Sequence, residues 1–333
     1  MNHQKEPKIS VIMSVFNGEK FLSEAIDSII NQSLNNYEFI IVNDASTDTT
    51  AQILLEFQEK DDRIQIINNV SNMGLAKSLN IAISASRGEF IARMDADDYS
   101  FPDRLEKQYN FMVSHPNTIV CGTAMSIYEE SHHNKIPPLS HEKILSRIVF
   151  DCPFYHPTVM IRKDILLEFG ITYPEDYKKA QDYGLWVSLF LLSIDKGYRF
   201  INLPDVLLKY RIHPGENRVN YYNEQMFYAA TSQFKLMSAL GIKVDFSSIM
   251  KLNCENKLSS DEIVRLDRIL KSITQKIMFL STNEYKKYVN DVLVSKRFKL
   301  YSRAKTNNIL GILLKVYARF LYLTNRKKIK PLL

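Results

Sequence analysis

Apolar and polar positions alternate in blocks along the first hundred residues. "KISVIMSVF" (8–16) is a β-branched apolar run and reads as a buried strand. Phe21, Leu22, Ala25, Ile26, Ile29 and Ile30 then recur on one stripe at helical spacing. "YEFIIVND" (37–44) predicts a second strand, and "ASTDTTAQILLEFQEK" a helix with Ser46 as N-cap and Asp48 in its first turn. "RIQIINN", "GLAKSLNIAISAS" and "GEFIARM" add a strand, a helix and a strand. Strands alternating with helices predict a mainly parallel sheet with helices on both faces. Ligands of such sheets gather beyond the carboxyl ends of the strands, where Asp44 and Asp95 both fall.

From about Pro102 the pattern loosens. "DRLEKQYNFMVSH" predicts a helix and "TIVCGTAM" a short strand, while "SHHNKIPPLSHE" reads as loop. "HPTVMIRK" returns to strand, "AQDYGLWVSLFLLSI" is an apolar-striped helix, and "VLLKYRIHPGEN" is a strand ending at a Pro-Gly break. Beyond Asn217 only helical patterns remain. The expected organisation is an α/β domain over 1–216, with halves at 1–100 and 101–216, and a helical appendage over 217–333.

Composition adds a charge asymmetry. The 333 residues are 45% hydrophobic and 24% charged, ordinary for a globular chain. Residues 284–333 hold 13 Lys or Arg against 2 acidic residues, a net of +11, whereas the rest holds 30 against 35, a net of −5. The C-terminal region is therefore the part that calls for an anionic partner. Cys121, Cys152 and Cys254 are far apart and read as reduced thiols. The N-terminus lacks the apolar run of a secretory signal, and no apolar segment reaches the roughly 20 residues that span a bilayer.

The densest candidate chemistry is "IARMDADDYS" (91–100), three aspartates in four positions behind a buried strand. Such crowding suits either a solvated turn or a cation. Hard divalent ions such as Mg2+ or Mn2+ take carboxylate oxygens together with substrate phosphates. An aspartyl phosphatase would carry its Asp-x-Asp after an early strand, with Thr or Val two positions on, where this chain has Tyr99. A nicotinamide enzyme would show GxGxxG after the first strand, where this chain reads "SVFNGEKF".

The blocks "ISVIMSVFNGEKFLSEAIDSIINQS", "IIVNDASTD", "NMGLAKSLNIAISASRGEFIARMDADD" and "QDYGLW" together resemble family 2 glycosyltransferases of the GT-A fold. Among these, "HEKI", "TVMIR" and "LLKYRIH" are most similar to bacterial enzymes that build lipooligosaccharide and O-antigen chains, β-1,3-N-acetylhexosaminyltransferases in particular. The resemblance implies that Ser14, Val15 and Phe16 cradle the nucleotide base and that Asp44 accepts from the uracil N3–H. It places Lys77 near the nucleotide, Asp95 near ribose and diphosphate, and Asp97 on the metal. His213 matches a position where related enzymes carry a third metal ligand. Asp182, in "AQDYGLW", takes the place of the general base. Gln181 stands where the family usually has Glu, and Trp186 is a candidate for the acceptor pocket.

The activity so implied is inverting, non-processive transfer of GlcNAc, GalNAc, Gal or Glc from a UDP-sugar to a lipid-linked or lipooligosaccharide acceptor, with Mn2+ or Mg2+. The competing readings are a nucleotidyltransferase and, from another class, a nucleic-acid or anion binder acting through the basic tail. The mildly acidic body and the lack of a nucleic-acid motif speak against nucleic acid. In the tail, Ile309, Leu313, Val316, Tyr317 and Phe320 share one helical stripe and Lys315, Arg319 and Arg326 another. That pattern predicts a helix lying on an anionic membrane, which would place the enzyme on the inner face of the cytoplasmic membrane. Self-association is left open by the sequence.

Overall fold

The computed structural model describes residues 6–128, 130–212, 218–254, 256–279, 283–305, 310, 313–319, 321 and 325. It divides into two compact units, one of residues 1–141 and 152–221 and the other of 142–151 and 222–333.

In the first unit β1 (Ile9–Val15), α1 (Leu22–Ile30), β2 (Tyr37–Asn43), α2 (Thr50–Lys60), β3 (Ile64–Asn68), α3 (Leu75–Ala85) and β4 (Phe90–Asp95) follow the predicted alternation. Then come β5 (Tyr99–Ser100), α4 (Arg104–Ser114), β6 (Thr118–Ile127), β7 (Glu130–Lys135), α5 (His141–Ile148), β8 (Met160–Arg162), α6 (Lys163–Glu168), α7 (Gln181–Lys196) and β9 (Arg199–Tyr210), of which α5 belongs to the second unit from Glu142 onward. One sheet runs in the order β3-β2-β1-β4-β8-β6-β9-β5, with β7 beside β6. Strands β1 to β4 pair in parallel, whereas β8 is antiparallel to both β4 and β6. Ile9, Val11, Met13 and Val15 join a core with Leu22, Ile26 and Ile29 of α1 and Leu105 and Met112 of α4. Ile12, on the other face of β1, is equally buried, so that strand is covered on both sides.

The structure departs from the sequence pattern at four places. Residues 131–142, expected as loop, contribute to β7 and to the start of α5. The polar sequence of β7 hid it, because its pairing with β6 comes from the neighbour rather than from an apolar pattern of its own. "HPTVMIRK" is strand only at Met160–Arg162, with a 3-10 turn at His156–Thr158. Strand β9 begins at Arg199, and a register shift against β6 leaves Pro204 and Asp205 between the residues paired to Thr123 and Ala124. A bulge is where a proline can sit in a strand without breaking a ladder bond. Helix α2 starts at Thr50, so Ser46 is not its N-cap; Asp48 Oδ1 accepts from Thr50 N–H instead.

The second unit contains α8 (Arg218–Ala239), α9 (Phe246–Asn253), α10 (Ser260–Phe279) and α11 (Asn283–Ser302). Asp245 caps α9 by accepting from Ser248 N–H at 2.8 Å. Ile263, Leu266, Leu270 and Ile273 of α10 and Val289, Val292 and Leu300 of α11 are buried, and Arg297 ties the two helices by pairing with Asp267 at 2.7 Å. Among the described residues no helix is long and apolar enough to cross a membrane.

Candidate active site

The strand register brings Ser14, Val15 and Asp95 to one edge of the sheet. Ser14 lies beside Asp95 on one side and Val42 on the other, and Val15 lies beside Asn43. Past these ends the chain turns with Asn17 and Ala45 at φ 52° and 60°. The two loops then brace each other. Asn17 N–H donates to Ser46 Oγ, Thr47 N–H to Asn17 Oδ1, and Gly18 N–H to Thr50 Oγ1. Phe16 stands half exposed on this braced edge.

Asp44 is buried and accepts three hydrogen bonds, from Asn69 Nδ2 (2.7 Å), Met73 N–H (2.8 Å) and Gly74 N–H (2.9 Å). Its two oxygens thereby anchor the loop that enters α3, in whose first turn Lys77 lies. The resemblance gives Asp44 the uracil N3–H as a donor; the local fold already supplies its carboxylate with three others.

The acidic cluster forms because the chain turns sharply between β4 and β5. Carboxylate oxygens of Asp95, Asp97 and Asp98 lie within 4.8 Å of one another. Arg211 clamps this turn: its N–H donates to Asp98 Oδ1 (2.9 Å), its Nε to the Asp97 carbonyl (3.0 Å), and its Nη2 to Glu24 (2.6 Å). Asp98 Oδ2 is buried with no partner among the described residues. Burial, reinforced by Asp95 and Asp97, pushes the Asp98 carboxyl up to about 8. Burial likewise raises Asp95, against the pull of the Arg93 guanidinium that pairs with it.

Arg93 is itself buried, and its Nε and Nη1 have no partner among the described residues. Its charge reaches Asp95, Asp98, Tyr173 and Asp182 together. Sequence reasoning passed over it, although an arginine inside the apolar strand "EFIARMD" was the available signal. Tyr173 and His156 lie in the same neighbourhood, bonded at 2.7 Å, with burial holding His156 well below the usual imidazole range.

Asp182 opens α7 from the other half of the sheet. The residue before the helix, Ala180, is left-handed at φ 53°, and Gly184 packs where a Cβ would lie 2.7 Å from Pro174. This close approach sets the first turn. Burial raises the Asp182 carboxyl, while the Tyr183 N–H, the Cys152 thiol and Arg93 draw it down. The Cys152 sulfur donates to Asp182 Oδ2 at 3.5 Å. Asp182 is close enough to raise Asp95 further by its charge, so the fold brings together two acids separated by 87 positions in the chain.

Gln181 is buried, and Trp186 is fully enclosed against Phe154, its ring centre 5.1 Å away. Neither offers open surface to an acceptor. His213 lies outside the described residues.

The donor set fits a hard divalent cation. Three carboxylates converge, one buried oxygen lacks a partner among the described residues, and two of the acids are held toward their neutral forms by one another and by burial. A cation would relieve that repulsion.

Comparison with known proteins places the chain in a family. The family model described as glycosyl transferase family 2 matches residues 10–170. An uncharacterized glycosyltransferase of Haemophilus influenzae is 31% identical over 290 residues, covering 84% of this chain and 88% of that protein. The O-antigen biosynthesis glycosyltransferase WbnJ of Escherichia coli is 36% identical over 209 residues, covering 62% and 80%. Among solved structures, residues 1–349 of S. aureus TarS in complex with UDP superpose with a TM-score of 0.56 at 21% identity, covering 97% of this chain and 90% of that one. The fold is thus that of the GT-A nucleotide-sugar transferases. The chain belongs to the family 2 glycosyltransferases.

Proposed function

We propose that this glycosyltransferase moves a single sugar, GlcNAc, GalNAc, Gal or Glc, from its UDP conjugate to a hydroxyl of a lipid-linked or lipooligosaccharide glycan, with inversion to a β-linkage. The observation that carries the reading is the placement of Asp182 within electrostatic reach of the Asp95–Asp97–Asp98 cluster. One carboxylate stands apart from the three that face a diphosphate, as a one-step displacement requires.

In that step the acceptor hydroxyl gives its proton to the Asp182 carboxylate as its oxygen closes on the anomeric carbon. The bond from that carbon to the terminal phosphate oxygen breaks, and UDP departs. Asp97, with Asp95 and Asp98, would hold Mn2+ or Mg2+, and His213 is proposed as a further ligand. That ion, when bound, neutralises charge developing on the leaving diphosphate. Phe16, Ser14 and Val15 receive the uracil, Asp44 accepts from its N3–H, and Lys77 lies near the nucleotide. Gln181 and Trp186 shape the acceptor side through packing. The UDP in the TarS complex and the O-antigen role in the name of WbnJ support this choice of donor and acceptor.

The tail supports a peripheral membrane location on the cytoplasmic face. Leu313, Val316 and Tyr317 are exposed while Ala318 and Leu321 are buried, which leaves an apolar stripe outward beside the excess of basic residues. Ile309, Phe320 and Arg326 lie outside the described residues.

The test is incubation with a panel of UDP-sugars and Mn2+, scoring released UDP. Release with one donor, abolished by Asp182→Asn, is the expected result. No release with any UDP-sugar, or release indifferent to Asp182, would overturn the proposal.

A further inference from the structure

A cleft in the second unit gathers cations that the transfer reaction does not use. It is lined by Arg147, Phe150 and Asp151 at the end of α5 and by Ser295, Lys296 and Lys299 of α11. The Lys296 ammonium donates to the Phe150 carbonyl oxygen at 3.1 Å and lies 5.8 Å from the centre of the Phe150 ring. Lys299 is three positions further on, so both ammonium groups leave the same face of α11. From α5, the Arg147 Nη2 binds Asp151 Oδ2 at 2.9 Å, which engages the one carboxylate in the lining. The Arg147 Nε is buried with no partner among the described residues.

Three cations face one carboxylate, so the lining carries an excess of two positive charges. Burial draws Lys296 below its ordinary value; Asp151 opposes this, and Lys299 and Arg147 add to it. Like charges held together in a partly desolvated cleft repel strongly, and an oxyanion with several acceptor oxygens relieves the repulsion. A guanidinium beside two ammonium groups suits phosphate, offering planar donors and mobile point charges together. Lys296 and Lys299 also belong to the strongly basic region that the sequence marks as needing an anionic partner.

We propose that this cleft, between α5 and α11, binds a phosphate group through Arg147, Lys296 and Lys299. The phosphate is carried either by a lipid or by a soluble molecule, and the site does not depend on the catalytic reading.

The test uses the full chain in EDTA without nucleotide, so that the acidic cluster cannot take up phosphate through a metal. Inorganic pyrophosphate is titrated by calorimetry, and sedimentation is measured with phosphatidylglycerol and with phosphatidylcholine vesicles. Lys299→Glu and Lys296→Met are compared with Lys276→Glu, a charge-matched control on an exposed position of α10. A phosphate held by charge-assisted hydrogen bonds should weaken about tenfold or more in each cleft variant and little in the control. That pattern with pyrophosphate supports the site and a soluble ligand. The same pattern confined to phosphatidylglycerol vesicles supports the site and a lipid ligand. Equal loss in Lys276→Glu and Lys299→Glu would reduce the effect to diffuse positive charge and overturn the proposal, as would the absence of binding to both probes.

Discussion

At the amino-terminal edge of the sheet the buried Glu38 carboxylate accepts from Ser10 Oγ (2.6 Å), Arg87 N–H (2.6 Å), Arg87 Nε (2.8 Å), Gln65 Nε2 (3.1 Å) and Gly88 N–H (3.3 Å). At the carboxyl-terminal edge Asp98, just as buried, has one donor on Oδ1 and no partner for Oδ2 among the described residues. Their titration diverges accordingly. Burial alone would raise Glu38, but its donors hold it below the usual range, whereas burial and neighbouring acids push Asp98 up to about 8. An acid that serves only the fold is matched to its donors; one left short of them is available to a ligand.

The sharpest way to break this contrast is at Asp182. With Asp182 as the proposed base, Asp182→Asn should lower kcat by roughly 10²–10⁴-fold with donor affinity little changed. Loss of UDP binding in that variant would assign Asp182 to the donor site instead. Because burial raises its carboxyl, the acid limb of the kcat profile should lie above the ordinary aspartate range, activity falling as the proton returns.

Next in size is the acidic cluster. EDTA should abolish turnover, Mn2+ or Mg2+ should restore it, and Asp97→Asn should cost about 10²–10³-fold, the usual worth of one electrostatic contact to a developing charge. The folded state should be intact by circular dichroism. Undiminished turnover in EDTA would remove the metal from the proposal.

Glu38 should behave in the opposite sense, affecting stability and not chemistry. Glu38→Ala strands buried donors and should lower unfolding free energy by about 1–3 kcal/mol in a denaturant titration, with kcat unchanged in the folded fraction. Because the folded pKa of Glu38 is depressed, its stabilisation is present above the unfolded carboxylate value and is lost as pH falls through the folded one. A variant as stable as the parent in acid but not at neutral pH is the expected signature.

The smallest effect concerns Cys152. Its thiol is a weak donor to Asp182, so Cys152→Ala should move the acid limb to slightly higher pH and Cys152→Ser to slightly lower pH. Identical profiles for both variants would mean that the contact does not tune the base.

The runs of β1, β2 and β4 were legible in the sequence because those strands are apolar and almost wholly buried, and the half-buried β3 still shows as an isoleucine-rich run between turn residues. The acidic turn after β4 was legible for the same reason, since a buried strand ending in aspartates leaves few structural uses for them. Strand β7, the long bulged β9 and the helix start at Thr50 were not: β7 is polar and owes its pairing to the adjacent β6, whereas β9 depends on β6, and the loop before α2 on the Asn17–Ser46 brace, both distant in sequence. The sequence by itself determined which residues carry charge and which strands can be buried. Only the tertiary structure decided that Asp44 spends its oxygens on the α3 loop, that Trp186 is enclosed, and that Arg93, Cys152 and Asp182 meet around Asp95. Donor supply and burial are set by neighbours in space, and those neighbours fix how readily each acid holds a proton.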